Sequence, residues 1–410
     1  MGKIALRIAL DNCGIWISTR NVLMDLKSLK VVDSHCHAFA PERENQPFER
    51  YLTLSALPIE RKDLVNSLLY RIVVSEMGRL LKKEGPHTNV VEERNKRYRQ
   101  DPKQYIKTLF RDAGIEVMLV DTGYPSELYS GYSVPLDEFS AMVQCRVHEV
   151  YRVENLVISL LDKRLGLDEA TEEFNRVIDA KVKAGAVALK SVIAYRTGLE
   201  VERRSDEEVR RAHRDIMSTL DSGRDLMGYV RSKAPPVKTI FDFFLYEAVR
   251  CCSRHRVPLQ IHVGMGDVPG IDLRTSNPLQ LQELIADDET RETRIVLTHG
   301  GYPYLEEAGF LAATYPNVYI DFSETIPFVS VGAGNRLMSL LEMTPVTKLM
   351  FGSDCFNVPE LAWVSALIAK KELASTLDVL VEKWRLDEEW AIEAAKGILA
   401  GNAESLYKLP

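Results

Sequence analysis

Short apolar runs rich in Val, Ile and Leu recur along the chain, each followed by a longer stretch whose apolar positions have helical spacing. Eight such runs are present: Lys30–Ser34, Val117–Val120, Val147–Val153, Val187–Ile193, Leu259–Val263, Ile295–Leu297, Val318–Phe322 and Leu349–Gly352. They are continuous and do not alternate, the pattern expected of parallel strands buried on both faces. A buried helix segment mimics any one of them, but eight in series with helical connectors predict an α/β fold, a (β/α)8 TIM barrel. The rival is a doubly wound open sheet, and no Gly-x-Gly-x-x-Gly follows the first run.

Two connections are too long for simple crossovers, 38–111 and 198–257. The first holds Leu64–Leu81, with helical spacing, and the charged run Glu92–Arg99; the second holds a solvated-looking helix, Asp206–Met217, and the break Ala234–Pro236. Both follow predicted strands, so helical insertions are expected after strands 1 and 4, over the mouth of the barrel, where a cover would select the substrate. The expected organisation is an N-terminal extension over 1–29 and a barrel over 30–410 that ends in packed helices.

Composition narrows the function classes. With 46% hydrophobic and 27% charged residues, the chain is expected to be globular. Lys and Arg total 52 against 59 Asp and Glu, a net charge of −7, which argues against nucleic-acid or anionic-membrane partners. No apolar run approaches the ~18 residues of a spanning helix. Ile4–Leu10, interrupted by Arg7, is a poor signal peptide. The six cysteines (13, 36, 145, 251, 252 and 355) show neither a disulfide framework nor paired Cys-x-x-Cys spacing, which points to a reduced, cytoplasmic protein. The expected partner is a small-molecule substrate, and assembly into a homo-oligomer stays open.

The chemistry starts at Asp33-Ser34-His35-Cys36-His37. Residues two apart in a strand project to the same side, so His35 and His37 can reach one metal. Alone, such a pair is two polar residues at a strand end. Context changes this: His262 ends the fifth run, His299 ends the sixth, and Asp354 follows the eighth. Carboxyl ends of barrel strands converge on one mouth, where the catalytic groups of such enzymes lie. His87, His148, His213 and His255 have no such placement and read as structural or surface residues. Cys36 and Cys355 read as packing.

His-x-His on strand 1, His on strands 5 and 6 and Asp on strand 8 resemble the amidohydrolase superfamily. The segments Gln260–Asp267 with Ser276-Asn277-Pro278, Leu189–Leu199 and His299–Tyr304 are similar to its amidohydrolase-2 branch, and to the amidohydrolase-like domain that some plant nodulin-type and fungal proteins carry fused to glutamine synthetase. These 410 residues have no room for a synthetase domain, so activity tied to that fusion is not carried over. The resemblance implies a divalent metal, zinc first among the candidates. It places His35, His37 and His262 as ligands, with Asp354 binding or approaching the metal and taking a proton from its water. His299 is implied either as a ligand of a second metal or as a neutral group that polarises substrate.

Lys190, inside the strand 4 run, separates the two cases. Carbamylated, it bridges two metals; as an amine beside a single metal, the form the branch favours, it contacts substrate or a carboxylate. Tyr195 and Arg196 follow strand 4, and Arg196 is a candidate clamp for a substrate carboxylate. Arg152, Glu154, Glu324 and Tyr302 are further substrate-binding candidates at strand ends. Asp121 is placed to orient other groups, although buried ion pairs that close a barrel account for Arg152, Glu154 and Asp121 equally well. The expected function is a metal-dependent amidohydrolase that cleaves an amide or related C–N bond, other than a peptide bond, in a small carboxylate-bearing substrate. The alternatives are a metal-dependent non-oxidative decarboxylase of the same branch and a non-catalytic metal-binding barrel.

Overall fold

A computed structural model describes residues 24–40 and 46–410; most of the expected N-terminal extension (1–23) lies outside the described residues. Eight strands appear in chain order: β1 (Val31–Cys36), β2 (Ile115–Asp121), β3 (Arg146–Arg152), β4 (Ala188–Ser191), β5 (Leu259–His262), β6 (Ile295–Thr298), β7 (Val318–Asp321) and β8 (Leu349–Met350). They form one sheet ordered β1 to β8, and every neighbouring pair is parallel. The chain beyond β8 returns to β1: Ser34 N donates to Phe351 O (3.0 Å), and Asp354 N donates to His35 O (2.9 Å). Those bonds draw the two edges of the sheet together, giving the predicted (β/α)8 barrel.

Each predicted run holds a strand, with ends that differ for local reasons. β1 extends two residues past its run because Asp33, Ser34 and His35 are polar yet buried. β4 stops at Ser191, because the next apolar residues, Ile193 and Ala194, open a short helix, Ile193–Arg196.

Alternation along the strands divides the apolar side chains. Val32, Val117, Leu119, Val150, Ala188, Val296 and Met350 form a small cluster inside the barrel, closed at the amino-terminal end by Ala400, Ala403, Leu406 and Tyr407. Their neighbours on the other face join the larger core beneath the helices. The barrel is thus filled at its floor, and its polar side chains collect at the carboxyl ends.

The long connections are helical where described. The first carries Leu68–Leu81, His87–Gln100 and Pro102–Ala113. Leu68–Leu81 is capped by Ser67 and buries Leu69, Val73, Val74, Met77 and Leu81, spaced to form one apolar face, which packs against the long helix Pro359–Trp384. The second carries Asp206–Asp221, opened by a Ser205/Glu208 capping box, and then Pro235–His255, on which it packs. These apolar faces are turned toward other helices along the flank of the barrel. One strip of the first insertion reaches the mouth, where Val268 N donates to Leu54 O and Ala56 N to Val268 O, both at 2.9 Å. Among the described residues, no helix is long and apolar enough to cross a membrane.

Candidate metal centre

The carboxyl ends of β1, β4, β5, β6 and β8 bring His35, His37, Lys190, His262, His299 and Asp354 to one cavity of about 250 Å3. His35 and Lys190 are each 1% exposed. Three chain turns here are strained. His299, Glu324 and Asp354 follow β6, β7 and β8 with φ of 68°, 55° and 51°, a region that costs a non-glycine residue about 1–3 kcal/mol and is found mostly where surroundings over-determine it.

His35 Nε2 and His37 Nε2 lie 3.2 and 3.4 Å from the same oxygen, Asp354 Oδ1. The far nitrogens determine what these atoms carry. His37 Nδ1 is 3.2 Å from the Asp121 carbonyl oxygen, which only accepts, so the proton belongs on Nδ1. His35 Nδ1 is 2.9 Å from Gln260 Oε1. The Gln260 amide is oriented by its Nε2, which donates to Ser34 O (2.9 Å), so its oxygen accepts from His35 as well. In the neutral tautomer that these contacts select, each ring turns its Nε2 lone pair toward a carboxylate oxygen that has no hydrogen-bond donor of its own. An imidazolium at His35 is disfavoured, because burial and then Lys190 lower its pKa. Two nitrogen lone pairs and a carboxylate oxygen, all buried, repel one another; the Lys190 ammonium approaches the His35 nitrogen alone, at 3.3 Å, and a cation lying among all three would relieve the rest. This donor set suits a divalent metal held by His and Asp.

Lys190 Nζ donates to Thr298 Oγ1 (2.9 Å) and lies 3.3 Å from His35 Nε2. Burial pushes its pKa down to about 8, opposed by Asp121, Asp321 and Asp354. His262 groups elsewhere than with His35 and His37: it stands with His299 and Glu324 in a second donor cluster. Its Nε2 donates to Met265 O (2.8 Å), and its Nδ1 meets His299 Nε2 at 2.8 Å. Joining the first cluster would require His262 to give up its bond to His299. Glu324 Oε2 is 3.7 Å from His299 Nδ1 and has no hydrogen-bond partner. Burial, then Asp354 and Asp267, push the Glu324 carboxyl well above the usual range, toward the neutral acid.

The remaining candidates divide. Tyr195, Arg196 and Arg152 line the cavity; Glu154, Glu324 and Tyr302 are not part of its lining. Arg152 is bound to Asp121 through Nη2 (2.6 Å) and Nε (3.0 Å), so its charge is neutralised by its neighbour. Glu154 Oε1 accepts from Ser191 Oγ (2.6 Å) and Val192 N (2.9 Å), fixing the end of β4 from behind. Tyr302 accepts Met265 N with its carbonyl and sits under Arg336. Arg196 Nη2 donates to Tyr129 Oη (2.6 Å), its guanidinium stacks over that ring, and its buried Nε has no partner.

Sequence reasoning missed four of the walls: Tyr124 and Tyr129 after β2, Asp267 after β5 and Phe356 after β8. Loop residues carry no periodic signal. Asp267 had one, in the Gly264-Met265-Gly266 that precedes it. At Gly266 a Cβ would stand 2.0 Å from Tyr195 Oη and 2.9 Å from His262 Nε2, so the loop can pass there only as glycine. Gln260 and Asp33 also had a signal, each a polar residue inside an apolar strand. None of the cavity's described lining comes from 38–111 or 198–257, where a substrate-selecting cover was expected; the apolar faces of those insertions are taken up by neighbouring helices.

Similarity to known proteins agrees with this geometry. The chain is 28% identical over 412 residues to Protein fluG of Emericella nidulans, covering 92% of this chain and 46% of that protein, so it spans about half the length of this curated relative. A Lactobacillus casei protein assigned as a metal-dependent hydrolase superposes with a TM-score of 0.79 at 24% identity, over 94% of this chain and 98% of its own. Uronate isomerase of Thermotoga maritima follows at TM-score 0.65 and 16% identity, over 93% and 95%. At these identities the solved structures show a shared fold. The Amidohydro_2 family, described as amidohydrolase, matches residues 32–409, nearly the whole chain, and the protein therefore belongs to that family of metal-dependent, hydrolase-like enzymes.

Proposed function

We propose that the protein hydrolyses a C–N bond, an amide or a close relative, in a small substrate that carries a carboxylate, using one divalent metal held by His35, His37 and Asp354, with zinc the first candidate. One observation supports this above others: the Nε2 atoms of two buried imidazoles, whose Nδ1 atoms face acceptors, lie 3.2 and 3.4 Å from one buried carboxylate oxygen. The metal would supply Lewis acidity, which polarises a carbonyl and eases ionisation of water. The Asp354 carboxylate, at the centre of the cluster, would accept the proton of the attacking water and return it to the leaving nitrogen as the C–N bond breaks, base and then acid. Lys190, at the same wall, would hydrogen-bond the scissile carbonyl, since a pKa near 8 keeps a proton to donate at neutral pH, and His299, whose two nitrogens are taken by His262 and Ser323, would hold the His262 ring in place. Arg196 is the cavity cation whose guanidinium keeps an unpartnered N–H, and it would bind the substrate carboxylate. The described cysteines are all free thiols, which supports placing the enzyme in the cytoplasm.

The test is a screen of carboxylate-bearing amides with metal-supplemented protein, following ammonia, amine and carbon dioxide. Amine or ammonia release that depends on metal and on Asp354 is the expected result. Release of carbon dioxide from aromatic acids with no amine would replace this reading with the decarboxylase one.

A further inference from the structure

The cavity holds a charge that the proposed reaction leaves unused. Asp267 opens onto it from the loop after β5. Its place is fixed from both sides: its main-chain N–H donates to Tyr195 Oη (2.8 Å), its carbonyl accepts from Ile271 N (3.0 Å), and Gly266 before it has no room for a side chain. These contacts hold the loop's main chain in place, and Asp267 itself is exposed. Yet among the described residues no ion pair or side-chain hydrogen bond reaches that carboxylate.

Arg196 is in the complementary position. It follows Tyr195 directly, so the two groups stand on adjacent loops with one tyrosine between them. No acidic side chain forms an ion pair with it among the described residues; its stacking partner is the Tyr129 ring, and its Nε is buried without an acceptor. The third charge on the wall, Arg152, is matched by Asp121. Apart from the metal cluster and Lys190 beside it, the cavity therefore offers one cation, Arg196, and one anion, Asp267, that no ion pair neutralises among the described residues. Leaving either one unmatched in a desolvated complex is costly, so a ligand with one charge alone would be rejected.

We propose that the cavity recognises a small zwitterion, an amino-acid-like amide whose carboxylate binds Arg196 and whose protonated amine binds Asp267; this rests on the amide-hydrolase reading for the position of the scissile group. The volume of about 250 Å3 suits a molecule of that size. Burial, then Asp354, push the Asp267 carboxyl up to about 6, which leaves it ionised at neutral pH, and an ammonium beside it would hold the charge further. The proposal makes Asp267 a specificity residue, which predicts that the amine-binding end of the cavity can be changed without touching the metal cluster.

The test is calorimetric titration of metal-supplemented protein with matched probes: L-glutamine, glutaramic acid (the same chain without the amine) and 4-aminobutanamide (without the carboxylate), and the shorter set L-asparagine, succinamic acid and 3-aminopropanamide. In one chain length at least, the zwitterion should bind about tenfold or more tighter than either truncated probe, a difference well outside titration error. Asp267→Asn should erase the advantage over the amine-less probe while leaving that probe's own affinity intact. Arg196→Gln should erase the advantage over the carboxylate-less probe, and Arg196→Lys should restore part of it; circular dichroism of each variant should match the wild type. Equal binding within each set, no binding by any probe, or an advantage that survives Asp267→Asn overturns the proposal. Ammonia release, followed in parallel, separates the two readings. Charge-dependent binding without cleavage keeps the zwitterion and removes the amide hydrolase. Equal cleavage of singly charged amides does the reverse.

Discussion

Asp354 and Glu360 are neighbours after β8, both buried, and the protein holds them in opposite ways. Glu360 is fully matched. Arg94 donates to both of its oxygens, Tyr105 Oη donates to Oε1 (2.8 Å), and the Arg94 guanidinium lies over the rings of Phe48, Tyr98 and Tyr105. Every oxygen has a donor, and the cluster joins the first insertion to the helix Pro359–Trp384. Asp354 has an oxygen with no donor, two imidazole lone pairs beside it and a left-handed backbone beneath it. The same functional group, buried to a similar degree, is structural where its partners are complementary and reactive where they are left short of a cation. Buried charge alone does not mark a catalytic site; the balance of donors and acceptors around it does.

That contrast can be broken from either side. The largest effect is expected at Asp354→Asn, which removes the proton acceptor: turnover should fall by about 10²–10⁴-fold, with a thermal midpoint near that of the wild type. An unchanged rate would remove Asp354 from the chemistry. Glu360→Gln should do the opposite. It leaves the Arg94 charge uncompensated in the interior, so denaturant unfolding should show a loss of about 3–5 kcal/mol, with turnover per folded molecule preserved; a stable variant with impaired turnover would tie Glu360 to the site instead.

Gln260→Leu sharpens the comparison at one remove. It takes the acceptor from His35 Nδ1 and so frees the ring to turn, and metal affinity measured by competition with a chelator should weaken by about 10–100-fold. The smallest effect belongs to the floor of the barrel, where Lys30 pairs with Glu404 at 2.6 Å near the surface. Glu404→Gln should change stability by less than about 1 kcal/mol and leave turnover alone, since exposed pairs contribute little.

Much of this was legible in the sequence because it obeys a period. The eight apolar runs are strands because a doubly covered parallel sheet needs them, and the strand ends carry His35, His37, His262, His299 and Asp354 to one mouth. What was not legible has no period. The insertions read as a cover from their length, but length does not say which way an apolar face turns, and Val73, Met77 and Leu81 face the flanking helix. The grouping of His262 with His299 depends on where Met265 O lies, a matter of loop path. Arg152 and Arg196 look alike in sequence; the structure gives Asp121 to the first and an aromatic ring to the second.

The measurement closest to the central claim is the metal content of purified protein by mass spectrometry, comparing the wild type, the His35→Asn/His37→Asn double variant and Glu360→Gln. The account predicts about one tightly held divalent ion per chain in the wild type and in the folded fraction of Glu360→Gln, and none in the double variant while its circular dichroism stays that of the wild type. A wild type that holds no metal after supplementation, or a double variant that holds as much as the wild type, would contradict it.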